Sequence, residues 1–323
     1  MNAPDMNKAD MPAQSGHLPV MVGEVVDVFR PVPAGVIVDA TVGAGGHAAA
    51  LLASRPDLSV IGLDRDEDAL TMASAATARF EGRVTLAHAR FDTLADVVRG
   101  LGHERVSGVL FDLGVSSMQL DRPDRGFSYR GDGPIDMRMD RNQPFSAADV
   151  VNGYAFEPLA ELIARYGGEK FSGRIARAII AARPLSTTVE LADVVRDAIP
   201  AAARRTGGHP ARRTFQALRM EVNAELAVIP RALDQALDLL VPGGRVAVLA
   251  YHSGEDRLVK QALVTAATGG CTCPPGLPCV CGAEPDVRLL WRGVHKPTAA
   301  EIAANRRAES ARLRAAEKLE RSA

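Results

Sequence analysis

The stretch that decides the fold is Val36-Ile-Val-Asp39-Ala-Thr-Val-Gly43-Ala-Gly45-Gly46-His47. A strand buried in a parallel sheet has a short apolar run of this kind, and glycines let the backbone after it pass close to a ligand. The helix that begins near His47 points unpaired N–H groups at such a ligand. The stretch therefore predicts the first strand and the ligand-binding turn of an α/β sheet.

Four more apolar runs continue the pattern, at Val60–Asp64, Val84–His88, Val106–Asp112 and Arg245–Tyr251. Helix-length segments separate the first four runs, which predicts a doubly wound parallel sheet. Roughly 130 residues separate the fourth run from the fifth, far more than a crossover connection needs. We therefore expect a sheet domain over 17–117 and 214–323, an inserted and mainly helical domain over 118–213, and a disordered tail over 1–16.

Composition narrows the class of protein. The 323 residues are 47% hydrophobic and 24% charged, which excludes disorder as the main state. An apolar run long enough for a membrane span or a signal peptide is absent from the sequence, so we expect a cytoplasmic protein without a membrane partner.

Charge is unevenly distributed although the net charge is −1. Residues 165–219 hold 11 Lys or Arg against 4 Asp or Glu, a balance that suits phosphate contacts. The first candidates for such phosphate contacts are Arg204, Arg205, Arg212 and Arg213. Solvated helix faces, or ion pairs that fix the orientation of two domains, are the alternatives.

Two acids indicate which ligand the glycine turn binds. Asp39 lies inside the motif, where it would repel a pyrophosphate but attract the ammonium group of a methionine moiety. Asp64 ends the second run, where a carboxylate can accept hydrogen bonds from both ribose hydroxyls. S-adenosylmethionine fits this pattern better than NAD does. The alternative is that both acids cap helices.

Longer strings identify a family, and they occur in a fixed order. They are His17-Leu-Pro-Val-Met21, Asp39 to His47, Asp112-Leu-Gly-Val-Ser-Ser117 with Gln119-Leu-Asp121, Arg125-Gly-Phe-Ser, Asp132 to Asp140, Tyr166 to Phe171, Arg174 to Ile179, His209 to Leu218, and Asn305 to Glu317. In these strings the chain closely resembles the bacterial 16S ribosomal RNA cytosine-N4 methyltransferase family, along nearly all of residues 17–317.

The resemblance implies a class I S-adenosylmethionine-dependent methyltransferase, with a Rossmann-like sheet and an inserted substrate-recognition domain. Its implied reaction is methylation of the exocyclic N4 amine of a decoding-centre cytidine in 16S rRNA of the small ribosomal subunit. The cofactor-binding residues that it implies are Gly45, Gly46, His47, Asp64, Phe91, Asp112 and Gln119. From the residues alone, Phe91 covers the adenine face or packs in the core.

The reaction needs groups that accept hydrogen bonds from the flipped cytosine amine and so free its lone pair. We expect Asp112 and the backbone of residues 113–117 to be the acceptors, with Ser116 and Ser117 as helpers. His252 either contacts the cytosine or a phosphate, or caps the next helix. The family usually has Phe and Leu where this chain has Tyr251 and Gly254.

The C-terminal part carries two further expectations. Cys271, Cys273, Cys279 and Cys281 form two Cys-x-Cys pairs in a proline-rich loop. Since zinc sites usually space their cysteines by two to four residues, we expect reduced thiols and no metal there, with structural zinc as the alternative. For 310–317, periodicity favours a helix, whereas the resemblance implies a last sheet strand, which we adopt.

Two other classes of function stay open at this point: an NAD-dependent oxidoreductase, and an RNA-binding module without catalysis. The sequence leaves open whether naked RNA or the assembled subunit is the substrate. It also leaves the oligomeric state undetermined, monomer and homodimer included.

Overall fold

The structure, a computed structural model, describes residues 19–205, 208–274 and 280–320, without the side chain of Arg205. The predicted tail over 1–16 and Cys279 lie outside the described residues. No helix in the described ranges is long and apolar enough to cross a membrane.

A seven-stranded sheet forms the centre of the fold, in the order β3-β2-β1-β4-β5-β7-β6. β1 to β5 run parallel, while β7 pairs antiparallel with both β5 and β6. The strands are β1 (Gly35–Asp39), β2 (Leu58–Asp64), β3 (Val84–His88), β4 (Val106–Asp112), β5 (Leu240–Ala250), β6 (Val287–Leu289) and β7 (Arg312–Lys318). The five predicted strands and the last strand adopted from the resemblance are confirmed.

β5 is the strand whose start the sequence prediction missed, because it begins at Leu240 and not at Arg245. Leu240 pairs with Val106 and Arg245 pairs with Gly108, so the strand gains residues over its neighbour between these two pairings. The sequence Pro242-Gly243-Gly244, which is typical of a turn, occupies this irregularity, and Gly243 has a φ of 77° there. A turn sequence inside a strand is accommodated as a bulge.

The helices are α1 (Val22–Phe29), α2 (Gly46–Ser54), α3 (Glu67–Thr77), α4 (Leu94–Gly100), α5 (Ser117–Asp121), α6 (Ala147–Gly153), α7 (Phe156–Gly167), α8 (Ser172–Ala182), α9 (Thr188–Ala198), α10 (Arg212–Val222), α11 (Ile229–Leu239), α12 (Ser253–Thr268) and α13 (Ala299–Ala304). Apolar residues of α4, α11 and α12 pack on one face of the sheet. Those of α1 and α2 pack on the other. Both faces of the central strands are therefore buried, as a parallel sheet requires.

The insert between β4 and β5 has an apolar core of its own, built from α6 to α10 and the loop before them. Phe215, Leu218 and Val222 of α10 belong to this core, so the packing of the insert extends past position 213. The domain limits at 117 and 213 stay a prediction.

The loop over 121–142 is ordered by buried polar contacts with the sheet domain. The Arg125 guanidinium is 1% exposed, lies 2.8 Å from Oδ2 of Asp66 at the start of α3, and also donates to the carbonyls of Arg138 and Met139. Asn223 accepts from the amide of Met139 and donates to the carbonyl of Met137. These contacts fix the insert beside the carboxyl end of β2.

Candidate functional site: the carboxyl edge of the sheet

Parallel strands end at a common edge, and here β1, β2, β4 and β5 bring four polar side chains together. Asp39, Asp64 and Asp112 are the last residues of their strands, and Tyr251 directly follows β5. Ligands of open α/β sheets bind at this edge, where the strand order reverses. The structure thus assembles the predicted acids on one side of the sheet.

The turn between β1 and α2 needs glycine for reasons of backbone and space. Gly45 has a φ of 82°, and a Cβ on it would lie 2.9 Å from the Cα of Ala73. Gly43 donates its amide to Oδ2 of Asp64 at 2.9 Å, which joins the turn to the end of β2. The glycines that the sequence singled out therefore hold the turn close against its neighbours.

Asp64 accepts two backbone amides, because its Oδ1 also accepts from Asp66 N at 2.9 Å. Burial raises the pKa of Asp64 to about 6, while these two donors act in the opposite direction. The carboxylate retains lone pairs for further donors. Its predicted contact with ribose hydroxyls stays a prediction.

Asp39 is buried with an unsatisfied oxygen. Its side chain is 1% exposed, and Oδ2 has no hydrogen-bond partner among the described residues. The pKa of Asp39 is raised to about 7: burial is the largest cause, His47 acts in the opposite direction, and the charges of Asp112 and Asp64 add to the rise. An unsatisfied buried carboxylate oxygen of this kind suits a cationic ligand group.

His47 and Asp112 add two more acceptors to the same place. Nε2 of His47 donates to the carbonyl of Val20 at 2.9 Å, so Nδ1 of the neutral ring is an acceptor. That Nδ1 lies 3.7 Å from Oδ2 of Asp112. His47 and Asp112 both influence the pKa of Asp39, so the three side chains are neighbours and offer acceptors for the ammonium group that the methionine part of S-adenosylmethionine carries. The residues present therefore fit this cofactor.

Two other predicted cofactor residues have protein partners. Phe91 follows β3, is half-buried and meets Phe111 edge to face with ring centroids 5.9 Å apart. Gln119 is 4% exposed; its Nε2 donates to Oδ2 of Asp66 and its Oε1 accepts from Ser116 N. Phe91 thus takes the packing role at least in part, and adenine contacts of both residues stay predictions. Gly46, the remaining predicted member, begins α2.

The predicted amine acceptors lie after β4, at the start of α5. Ser116 is the N-cap residue of α5, and its hydroxyl accepts from Gln119 N at 3.2 Å. Ser117 is 5% exposed. Asp112 is held by Tyr251, whose hydroxyl donates to Oδ1 at 2.7 Å, and its side chain remains 26% exposed. Of the three, Asp112 is the best placed to meet a substrate.

His252 caps α12. Its Nδ1 accepts from the amides of Gly254 and Glu255 at 3.1 and 3.3 Å, and Nε2 lies 3.1 Å from Oε1 of Glu255. This is the capping role that the sequence left as the alternative, and contact with a cytosine stays a prediction. Glu255 completes the cap, because its Oε2 accepts from the amides of Tyr251 and His252.

A cleft of about 1130 Å³ opens between the insert and the end of β5, and His252 is one of its lining residues. Glu169 is the one acid in that lining within the described part of the chain. The basic lining residues are Arg165, Lys170, Arg204, Arg212, Arg213 and Arg257. The cleft therefore suits an anionic polymer beside the cofactor edge.

The predicted arginines differ in their partners. Arg204 donates to the carbonyl of Ile199 and lies 3.5 Å from Asp197, while Arg213 lies 3.7 Å from Glu169. These partners belong to the insert, not to the sheet domain, so the alternative of pairing across the domains is not seen for them. Arg212 is exposed and lines the cleft. The side chain of Arg205 lies outside the described residues.

Two contacts of the site had no signal in the sequence: the Val20 carbonyl that orients His47, and the Arg125–Asp66 ion pair. Both join residues far apart in the chain. A buried Arg in a polar loop becomes visible only when its partners are known.

Comparisons with known proteins place the chain among methylases. Residues 14–319 match the MraW methylase family. A protein of Frankia alni named ribosomal RNA small subunit methyltransferase H is 53% identical over 310 residues, covering 94% of this chain and 95% of that protein. One of the same name from Streptomyces avermitilis is 50% identical over 318 residues, covering 96% of this chain and 99% of the relative.

Proposed function

Because the chain belongs to the MraW methylase family and is an S-adenosylmethionine-dependent methyltransferase, we propose that it methylates ribosomal RNA of the small subunit. Within that RNA, the proposed target is the N4 amine of a decoding-centre cytidine in 16S rRNA. Relatives named ribosomal RNA small subunit methyltransferase H support the substrate. Family membership sets aside the oxidoreductase and the non-catalytic module.

The observation that carries the proposal is the adjacency of Tyr251 and His252. Tyr251 holds the carboxylate of Asp112 at the cofactor edge, and the next residue lines the basic cleft. The cleft thus begins one residue from the side chain that holds the carboxylate proposed to meet the reacting amine. Methyl transfer requires this proximity, because donor and acceptor must be in line and in contact.

The chain's own residues hold the cofactor in this proposal. Oδ2 of Asp39, Nδ1 of His47 and Oδ2 of Asp112 accept from its ammonium group, and Asp64 accepts from its ribose. S-adenosylmethionine supplies a methyl group on a sulfonium, which is electrophilic without help from the protein. The protein therefore contributes by positioning the cofactor and the reacting amine and by controlling the charge around them.

A cytosine amine is a weak nucleophile because its lone pair is delocalised into the ring. An acceptor aligned with an N–H of that amine favours a geometry in which the lone pair is available. Asp112 is proposed as this acceptor, since its carboxylate is held from one side by Tyr251 and is still partly exposed. The hydroxyls of Ser116 and Ser117 are proposed as helpers.

The basic cleft is proposed to bind the RNA backbone around the flipped base. Arginine suits this task because its planar fork donates two hydrogen bonds to one phosphate. Arg212 is exposed in the lining, and Arg213 is 54% exposed and only loosely paired. To reach a phosphate, Arg213 gives up its 3.7 Å contact with the buried Glu169, whose Oε1 keeps the amide of Phe171 as a donor.

The test supplies small subunits from cells that lack the enzyme with S-adenosylmethionine labelled on its methyl group. We expect label in 16S rRNA with the wild-type protein. With Asp112→Asn, compared at equal occupancy of the cofactor site, we expect at least tenfold less label. Naked 16S rRNA in a parallel reaction distinguishes the free RNA from the assembled subunit as substrate. Absence of label from both substrates with a protein that binds the cofactor would overturn the proposal.

A further inference from the structure

Three cysteines come together in the segment that connects α12 with β6. β6 pairs with β7, and Arg288 lies level with Glu317 and Arg245, which pairs with Gly108 near the start of β4. The segment is therefore at the amino edge of the sheet, opposite the proposed methyl-transfer site. Its cysteines have no part in that function.

The sulfur atoms of Cys271, Cys273 and Cys281 all lie within 4.8 Å of one another. Those of Cys271 and Cys281 are 3.6 Å apart, well beyond the length of a disulfide bond. In a tetrahedral zinc site with Zn–S bonds of about 2.3 Å, neighbouring sulfurs are about 3.8 Å apart. The observed spacing already approaches this arrangement.

The base of the segment is fixed by backbone contacts. Gly270 donates to the carbonyl of Thr265, and Asp286 donates to that of Ala266, both at 2.9 Å. Gly269 has a φ of 61°, and a Cβ on it would lie 2.3 Å from the carbonyl oxygen of Glu284. The two arms of the segment therefore leave α12 and return to β6 at closely packed positions, and the cysteines face each other across it.

One sulfur also accepts a backbone hydrogen bond. The amide of Val280 lies 3.5 Å from Sγ of Cys273. N–H donors to sulfur stabilise the thiolate, which is the form that binds metals. The one-residue spacing within Cys271-Thr-Cys273 argued against a metal from sequence alone. In the folded chain these two sulfurs nevertheless lie on the same side.

We propose that Cys271, Cys273 and Cys281 bind one structural Zn²⁺ ion through their thiolates. Thiolates select zinc over hard cations such as Mg²⁺ and Ca²⁺. The fourth position of the ion is left to water or a further donor. The ion would hold an exposed segment beside β6, a three-residue strand at the edge of the sheet.

The first test measures zinc in the full-length protein, purified under reducing conditions without chelator. About one zinc per chain is expected in the wild type, and substitution by Co²⁺ should give the absorption of sulfur-to-metal charge transfer. Each of Cys271→Ser, Cys273→Ser and Cys281→Ser should lower the zinc content at least tenfold. Thr272→Ala, an exposed neighbour, is the matched control and should retain the metal.

Chelation of wild-type zinc should lower the melting temperature and leave the affinity for S-adenosylmethionine unchanged, because the two sites lie at opposite edges of the sheet. A reduced, folded wild-type protein that takes up neither Zn²⁺ nor Co²⁺ would overturn the proposal. So would zinc that persists in all three serine variants, or a disulfide in protein kept under reducing conditions.

Discussion

The hydroxyl of Tyr251 donates a hydrogen bond of 2.7 Å to Oδ1 of Asp112. Asp112 ends β4, and Tyr251 directly follows the neighbouring strand β5, so the contact joins residues that are 139 positions apart in the chain. The contact orients a carboxylate that lies at the carboxyl edge of the sheet and is 26% exposed. Burial raises the pKa of Tyr251 well above its ordinary value, as does the neighbouring Asp112 charge, so the hydroxyl keeps its proton and remains a donor.

Tyr251→Phe removes this donor and keeps the ring. We expect turnover to fall by about two- to tenfold, because a hydrogen bond contributes about 0.5–1.5 kcal/mol and water can partly replace it at the partly exposed Asp112. Folding should be unchanged, since the chain resembles a family that usually has Phe here. Single-turnover methyl transfer measures the effect. Wild-type turnover in Tyr251→Phe would show that this contact does not position Asp112.

Asp39 predicts a pH dependence. Its pKa is about 7 in the folded chain against 3.8 as the ordinary value, so the proton it retains stabilises the fold below pH 3.8. That contribution is lost as pH rises through about 7. A bound ammonium group needs the charged carboxylate, so cofactor affinity should rise between about pH 6 and 7 with release of a proton.

Calorimetry of cofactor binding in two buffers of different ionisation enthalpy counts the released protons. Asp39→Asn should weaken binding and remove the proton release near pH 7. The pKa of Asp64 is lower, at about 6, so any proton that Asp64 releases on cofactor binding is released at lower pH than the proton of Asp39. Wild-type affinity that is independent of pH across this range would exclude the ammonium contact at Asp39.

The Arg125–Asp66 ion pair predicts a large effect on stability. Both side chains are almost fully buried, at 1% and 3% exposure, so removing one partner leaves an uncompensated charge. Arg125→Met should reduce the free energy of unfolding by about 3–5 kcal/mol. Arg122→Ala is the control: Arg122 pairs with Asp68 and Asp124 at the exposed surface and should change little. Equal denaturation midpoints for the two variants would contradict a stabilising role of the buried Arg125–Asp66 ion pair.

The basic cleft predicts a change in salt dependence. The double variant Arg212→Ala, Arg213→Ala should bind small subunits more weakly and reduce the slope of log affinity against log salt by about one to two units. Cofactor affinity should stay unchanged. Arg30→Ala, Arg99→Ala removes two exposed arginines outside the cleft and should leave the slope intact. An unaltered slope with a lowered melting temperature in the cleft variant would place the RNA elsewhere.

The central strands were predictable because each is a short apolar run that ends at the functional edge. Helix α1 and strand β6 were not predicted. α1 begins after Met21, which has a left-handed backbone and no side-chain cap, and β6 has three residues. Neither has the signals by which sequence patterns are recognised. Apolar packing stabilises α1, and pairing with β7 stabilises β6.

Only part of the candidate site was predictable from the residues themselves. Asp39, Asp64 and Asp112 follow from strand ends alone, whereas the roles of Phe91 and Gln119 came from the resemblance. The structure adds contacts that the spacing of residues cannot predict. These are the hydrogen-bond donor of each acid and the oxygen of Asp39 that has no donor among the described residues. The capping role of His252 depends on where the amides of α12 point.

The most direct measurement of the central claim is the mass of the modified nucleoside. Small subunits from cells without the enzyme are methylated in vitro by the purified protein, the 16S rRNA is digested, and the nucleosides are separated against standards. The proposed geometry, with a carboxylate accepting from an exocyclic amine, predicts N4-methylcytidine. A C5-methyl or a 2′-O-methyl product would contradict it.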